Sequence, residues 1–289
     1  MTKLAFIILH YNSIEDTIEC VKSIHEKCVG YNYHIYIIDN ASPNGSGKII
    51  SEKYKDDSQI TTIQSTNNLG FAKGNNLAIE QALKDGYDDF VVVLNNDTKI
   101  IQNNFCELIK EQYEKSNFAV LGPTIFTPIG KTTINPGRSH ILQGKELNEF
   151  ENFYSQGLHL IQKGHILGLK FLQKKMSLKQ RLRHPFKPKP KYTENCVLHG
   201  CCLIFSKKYF EKFKGFDDRT FLYFEEEILY AHVIHSGLKT VYAPEIEIWH
   251  KEDGATDSIF GNNLKKTAFI YENILKSISI YKELLKNND

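Results

Sequence analysis

A chain of 289 residues with 41% hydrophobic and 24% charged side chains can bury a full core and is too apolar for wholesale disorder. Its formal net charge of +2 points by itself to no class of partner, and no apolar segment is long enough to cross a bilayer. The opening MTKLAFIILHYN runs from a short apolar stretch straight into polar residues, which suits a buried first strand rather than a signal peptide. The six cysteines show no C-x-x-C spacing, so reduced, buried thiols are expected in place of disulfides or a zinc site, with Cys201 and Cys202 structural.

Along the first hundred residues, short β-rich runs alternate with helical spacing. Leu4–Leu9 reads as a strand covered on both faces. Ser13–His25 places Ile14, Ile18, Val21 and Ile24 at helical intervals, with Ser13 as N-cap. His34–Asp39 is a second strand closed by the turn-forming Asn40–Gly45, followed by a helix to about Tyr54 and a strand at Ile60–Gln64. Gly74–Lys84 reads as helix and Phe90–Asp97 as the third strong strand. Such alternation predicts an α/β fold with a mostly parallel sheet and helices on both faces. Ligands of such sheets bind at the carboxyl ends of the strands, where Asp39 and Asp97 fall.

Residues 131–191 change character. Gln162–Lys191 holds ten Lys or Arg residues and no acid, interleaved with Leu167, Leu169, Phe171, Leu172, Met176, Leu178 and Leu182. This is either a solvated basic insertion or a basic amphipathic segment that rests on an anionic membrane or reaches towards an anionic acceptor. The ordered pattern resumes with strand-like Val197–Phe205, a short helix at Lys207–Phe213, a helix at Glu225–Gly237, a short strand TVYAP and an edge strand IEIWH. Asn262–Leu285 reads as an amphipathic helix packing on the body or on a partner, and it offers a homodimer interface. The expected organisation is a donor-binding half at 1–130, the basic insertion at 131–191, an acceptor and catalytic half at 192–255, and a helical tail at 256–289.

Six motifs carry chemistry. His10-Tyr11-Asn12 ends the first strand, where a nucleotide base needs a flat slot, although a Tyr ending a core strand is equally ordinary. Asp39 in IIDNAS closes a buried strand, where a carboxylate is either a satisfied turn residue or a functional one with a partner. In NNLGFAKGNN (67–76), Gly70 and Gly74 permit close backbone approach ahead of a helix N-terminus. Asn95-Asn96-Asp97 is a carboxylate at the sheet mouth or a plain turn. The Phe221–Leu229 block follows Gly215-Phe216-Asp217 and holds three consecutive glutamates, 225 to 227, among which like-charge repulsion shifts a pKa. Trp249-His250 closes the set, with Lys251 and Asp253-Gly254 beyond.

Taken in order, these motifs resemble the inverting glycosyltransferases of family 2, of GT-A nucleotide-sugar fold, in the rhamnosyltransferase-like branch. The resemblance spans residues 1–130 and 192–255. It implies that Tyr11, Asn12, Asp39, Asn68, Gly70, Lys73, Gly74, Asn75, Asn76, Asn95 and Asn96 bind the nucleotide-sugar donor. It further implies that Asp97 and His250 hold a divalent cation, Mn²⁺ or Mg²⁺. Glu226 aligns with the family's catalytic acid, with Glu225 as second choice, while Tyr223 and Trp249 fall near the acceptor. Asn95 replaces the first acid of the family's D-x-D motif, and Ile228 stands where a second acid is common. The implied partners are a UDP- or dTDP-sugar, dTDP-rhamnose among them, and a glycan or lipid-linked acceptor in bacterial surface polysaccharide synthesis. The implied location is cytoplasmic, peripheral to the inner face of the cell membrane. No nucleic-acid-binding motif is present. A sugar-phosphate nucleotidyltransferase would open with a glycine-rich loop that HYNSIEDT lacks, and a non-catalytic relative is disfavoured by retention of Asp97, Glu226 and His250.

Overall fold

A computed structural model describes residues 2–128, 130–131, 134–183, 191–251 and 264–287. Strand β1 (Lys3–His10) is followed by α1 (Ile14–Lys27), β2 (Asn32–Asp39), α2 (Ser46–Tyr54), β3 (Ile60–Gln64), α3 (Gly70–Lys84) and β4 (Phe90–Asn95). Short β5 (Thr98–Ile100) leads to α4 (Phe105–Ser116), β6 (Val120–Thr127) and β7 (Gly130–Lys131). Two helices follow, α5 (Gly144–Gln162) and α6 (Ile166–Arg183), then β8 (Thr193–Glu194), β9 (Cys202–Ser206), α7 (Lys207–Phe210), α8 (Glu225–His235), β10 (Thr240–His250) and α9 (Leu264–Lys286).

One sheet runs β3-β2-β1-β4-β9-β6-β10-β5, with β7 on β6 and β8 on β10. Strands β3, β2, β1 and β4 are mutually parallel, while β9 lies antiparallel between β4 and β6. Alternation along β1 shows why the first run is apolar throughout. Leu4, Phe6 and Ile8 pack with Val21, Ile24, Ile50 and Ile109 of α1, α2 and α4, while Ala5 and Ile7 pack with Ala78, Ile79 and Val233 of α3 and α8. The six cysteines are all buried and free, as their spacing predicts. A third cluster joins α8 to α9 through Phe224, Ile228, Ala231, Ile274, Ile278 and Tyr281. The tail helix therefore spends its apolar face on the body.

Several elements depart from the sequence reading. The third strong strand stops at Asn95, because Thr98 and Ile100 start a separate strand paired with β10. Helix α3 begins at Gly70, four residues earlier than expected, and the Val197–Phe205 strand shrinks to β9. TVYAP and IEIWH are one strand, β10, whose register against β6 shifts between Ala243 and Glu247. Pro244 lies in that interval, where a missing N–H costs no ladder bond. IEIWH is not an edge, because β5 covers it. Within the stretch read as the basic insertion, residues 144–183 form two helices, α5 and α6. Leu147, Phe150 and Tyr154 at helical spacing seat α5 on the third cluster, and Gly157 admits the Tyr271 ring where a Cβ would approach to 2.3 Å. Among the described residues no helix is long and apolar enough to cross a membrane.

Candidate active site

Sheet topology gathers residues from distant parts of the sequence at the carboxyl end of β4. Because β9 runs antiparallel to β4, the segment entering β9 stands beside the residues leaving β4, and Asn95 N–H donates to the Cys201 carbonyl at 2.9 Å. The antiparallel pairing of β10 with β5 sets His250 opposite Thr98, one residue from Asp97. The outcome is a buried pair: His250 Nε2 lies 3.1 Å from Asp97 Oδ1, with the two side chains 9% and 7% exposed. Lys251 N–H closes the turn onto the Asp97 carbonyl at 3.0 Å, and the Lys251 ammonium reaches Asp16 at 3.0 Å. His250 Nδ1 is buried without a hydrogen-bond partner. The His199 ring stands 6.1 Å from that of His250.

On the other flank, β1 and β2 end in a polar floor. His10, fully buried, hydrogen-bonds Thr17 Oγ1 at 2.6 Å and Ser46 Oγ at 2.8 Å, and its burial lowers its pKa against the raising influence of Asp39. Asp39 Oδ1 accepts from the Ser42 hydroxyl at 2.5 Å and its backbone N–H at 3.2 Å. Ser42 Oγ in turn accepts from Asn12 N–H at 2.9 Å. A Cβ on Gly47 would sit 2.0 Å from the Asp39 carboxylate, so only glycine lets that helix start close on it. Ser13 starts α1, but its hydroxyl donates to Asp16 rather than capping the helix.

Asn40 organises the glycine string. Its amide donates to Asn68 Oδ1 at 3.0 Å and the Gly70 carbonyl at 3.1 Å, and accepts from Leu69 N–H at 2.8 Å. Gly70, at φ +77°, carries the chain so near Phe221 that a Cβ would meet the Phe221 carbonyl oxygen at 2.0 Å. Phe71 N–H donates to that same carbonyl at 2.8 Å. Gly70→Ala forces both a left-handed backbone and this overlap, and is expected to cost at least ~2 kcal/mol in unfolding free energy. Denaturant titration of the variant checks it.

Helix α8 follows two residues with positive φ, Tyr223 at 70° and Phe224 at 76°, and its first turn separates the glutamates. Glu225 is buried, 8% exposed, with Oε1 unpartnered. Burial first and Glu226 second push its pKa up to about 8. Glu227 forms an ion pair with Arg138, and desolvation raises its pKa despite that partner. Glu226 is half-exposed and accepts Gly200 N–H at 3.1 Å. The segment His199–Cys201 thus touches all three parts of the site, meeting His250, Glu226 and Asn95.

The structure brings together Asn12, Asp39, Asn68, Gly70, Gly74, Asn75, Asn95, Asn96, Asp97, His250 and Glu226 around the strand ends. Tyr11 is half-buried there and Lys73 is exposed on α3. Asn76 spends its amide on the Phe216 backbone, donating at 2.9 Å and accepting at 2.8 Å. Trp249 lies under the Lys99 ammonium, 4.8 Å from its ring, and strand alternation aims it away from His250. Tyr223 packs on the third cluster. Asp253 and Gly254 lie outside the described residues. The motif reading missed Asn40, Arg138, His199 and Gly200. Asn40 adjoins a named motif, and His199-Gly200 precedes a strand, a place where backbone N–H groups face a site. Nothing local marks Arg138.

The family model of Glycosyl transferase family 2 matches residues 5–214. A low-salt glycan biosynthesis hexosyltransferase, Agl10, of Haloferax volcanii is 27% identical over 158 residues, 48% of either chain. An N-acetylglucosaminyl-diphospho-decaprenol L-rhamnosyltransferase of Mycobacterium tuberculosis is 23% identical over 229 residues, 77% of this chain and 67% of that one. The chain thus spans about half the length of the haloarchaeal relative. Among solved structures, S. aureus TarS 1–349 superposes with TM-score 0.52 at 13% identity, covering 86% of this chain and 60% of that one. A UDP-GlcNAc complex of the same fragment gives TM-score 0.51 at 12% identity, over 87% and 59%. The shared fold is the GT-A type, and the family match extends from β1 through α7. The chain belongs to glycosyl transferase family 2.

Proposed function

We propose that this chain is an inverting glycosyltransferase moving a sugar from a nucleotide diphosphate to a hydroxyl of a glycan or lipid-linked acceptor. The observation that carries the reading is the His199–Cys201 segment, which ties the half-exposed Glu226 to the buried Asp97–His250 pair. A carboxylate facing solvent stands beside a site built for a charged leaving group.

In this reading the nucleoside rests on the floor formed by Tyr11, Asn12 and Asp39. Asn12 Oδ1 and Asn75 Oδ1, both buried without a partner, accept from donor N–H or O–H groups, since an unmet buried acceptor is costly when empty. The Gly70 and Phe71 N–H groups are held by Asn68 Oδ1 and the Phe221 carbonyl, so the start of α3 acts on the diphosphate through its positive dipole end. Glu226 accepts the proton of the acceptor hydroxyl as its oxygen bonds to the anomeric carbon. The bond from that carbon to the diphosphate oxygen breaks on the opposite face, which inverts the configuration. Glu225, protonated to about pH 8, is a poor base at neutral pH, so Glu226 takes that role.

The donor set also fits a hard divalent cation, Mg²⁺ or Mn²⁺. Asp97 offers a carboxylate and His250 an imidazole whose Nδ1 lacks a partner. Among the described residues no cluster of three or more His, Cys, Asp or Glu forms a complete cage, so donor phosphate and water would supply the remaining ligands. Asp97 and His250 would hold such an ion, and it would supply positive charge for a departing diphosphate. UDP- and dTDP-sugars, dTDP-rhamnose included, are the donors to try first. The mycobacterial relative's name records rhamnosyl transfer, and TarS was solved with UDP-GlcNAc.

Nucleotide release from a panel of UDP- and dTDP-sugars, with Mn²⁺, Mg²⁺ or EDTA, tests the reading. One donor is expected to be hydrolysed slowly without acceptor, and EDTA is expected to lower that rate at least ~10-fold. Absence of both hydrolysis and calorimetric binding across the panel would overturn it.

A further inference from the structure

Helix α6 has apolar residues on two opposite faces. Leu169, Leu172 and Met176 form the inner one: Leu169 is 4% exposed, and Leu172 and Met176 line a cavity of 180 Å³ against Phe153 of α5. The helix is tied to α9 by Gln173, whose amide donates to the Tyr271 hydroxyl at 3.2 Å. Opposite lie Leu167, Phe171 and Leu178, with 84%, 72% and 56% of their surfaces exposed. Spaced by four and seven residues, they fall within about 40° of one another around the axis. The lysines at 170, 174 and 175 are exposed on the same helix, and Lys174 borders the stripe about 20° beyond Leu167. A groove of 750 Å³ between α6 and α9 continues the pattern, lined by Ile166, Leu169, Leu264 and Ile270 together with Lys170 and Lys265.

An exposed apolar stripe bordered by one sign of charge needs an occupant that is apolar in depth and anionic at its surface. A protein groove would need matching acids, and a second copy of this helix would set lysine against lysine. We propose that α6 docks the enzyme on an anionic phospholipid bilayer. Leu167, Phe171 and Leu178 enter the headgroup and acyl boundary while Lys170, Lys174 and Lys175 meet lipid phosphates. The sequence permits a solvated insertion, a membrane segment or one reaching an anionic acceptor, and the two apolar faces of α6 favour the membrane. Docking does not depend on the glycosyl transfer reading, since neither donor nor acceptor takes part.

The test is flotation of the full chain with vesicles of phosphatidylglycerol and phosphatidylcholine, against phosphatidylcholine alone. Binding is expected only to the anionic vesicles, weakening as salt rises. Lys170→Gln/Lys174→Gln is expected to weaken it roughly 30-fold, and Leu167→Ser/Phe171→Ser to abolish it. Both variants should keep the wild-type circular dichroism spectrum and thermal midpoint, since the altered side chains are exposed. No binding by wild type, or equal binding by the variants, overturns the proposal. So does a vesicle-free dimer that Leu167→Ser/Phe171→Ser dissociates, because the stripe would then belong to a second copy.

Discussion

Glu226→Gln is expected to slow transfer to a supplied acceptor by ~10²–10⁴-fold while leaving donor affinity unchanged. Glutamine keeps the shape of the side chain and an oxygen to accept the Gly200 N–H, which the wild-type carboxylate does at 3.1 Å. What it removes is a base. Because the interaction lost exists only when the acceptor proton moves, the loss should appear in kcat rather than in donor binding. Glu225→Gln is the internal control. That residue is buried and stays protonated to about pH 8, so its amide should retain most of the activity. If Glu225→Gln is dead and Glu226→Gln is active, the base has been assigned to the wrong glutamate.

The same buried carboxyl makes stability depend on pH. In the unfolded chain Glu225 ionises near 4.5, and in the folded chain near 8. Between those values the folded protein holds a proton that the unfolded chain has released. Its contribution is fully present below about pH 4.5 and is lost as pH rises through 8. Across the window the loss is on the order of 4 kcal/mol. Glu225→Gln removes this slope, so at pH 8.5 its thermal midpoint should exceed that of wild type by roughly 5–10 °C, whereas near pH 5 the two should nearly coincide. Parallel midpoint-against-pH curves would show that Glu225 ionises freely in the folded state.

Much of this fold is legible because the sheet's inner strands, covered on both faces, must be written in continuous apolar runs such as Phe6–Ile8 and Val91–Leu94. The helices of residues 144–183 were harder to read. Their buried positions are few, and in α6 a second apolar face blurs the period that betrays a helix. At the site, ordered motifs flag Asp97, Glu226 and His250. Resemblance puts Asp97 and His250 at one cation, but their direct contact follows from the β5–β10 register. The motifs do not distinguish Glu225 from Glu226, because that depends on which carboxylate the turn at Tyr223–Phe224 points inward. Asn76 likewise needs the fold to be read. It lies within the most specific string of the chain, yet its amide is committed to the Phe216 backbone.

The strand order also has a temporal side. Residues that face one another in the pocket enter the sheet at opposite ends of the sequence, since Asp97 leaves β4 early and His250 ends the last strand to join. Strand β10 is sandwiched between β6 and β5, so until it arrives β6 has an open edge and β5 has no partner. A chain emerging from the ribosome can therefore complete β3-β2-β1-β4 while β9 and β10 are still being made. Pairing over such sequence separations is slow. The Asp97–His250 pair therefore exists only once this last strand has docked on β5.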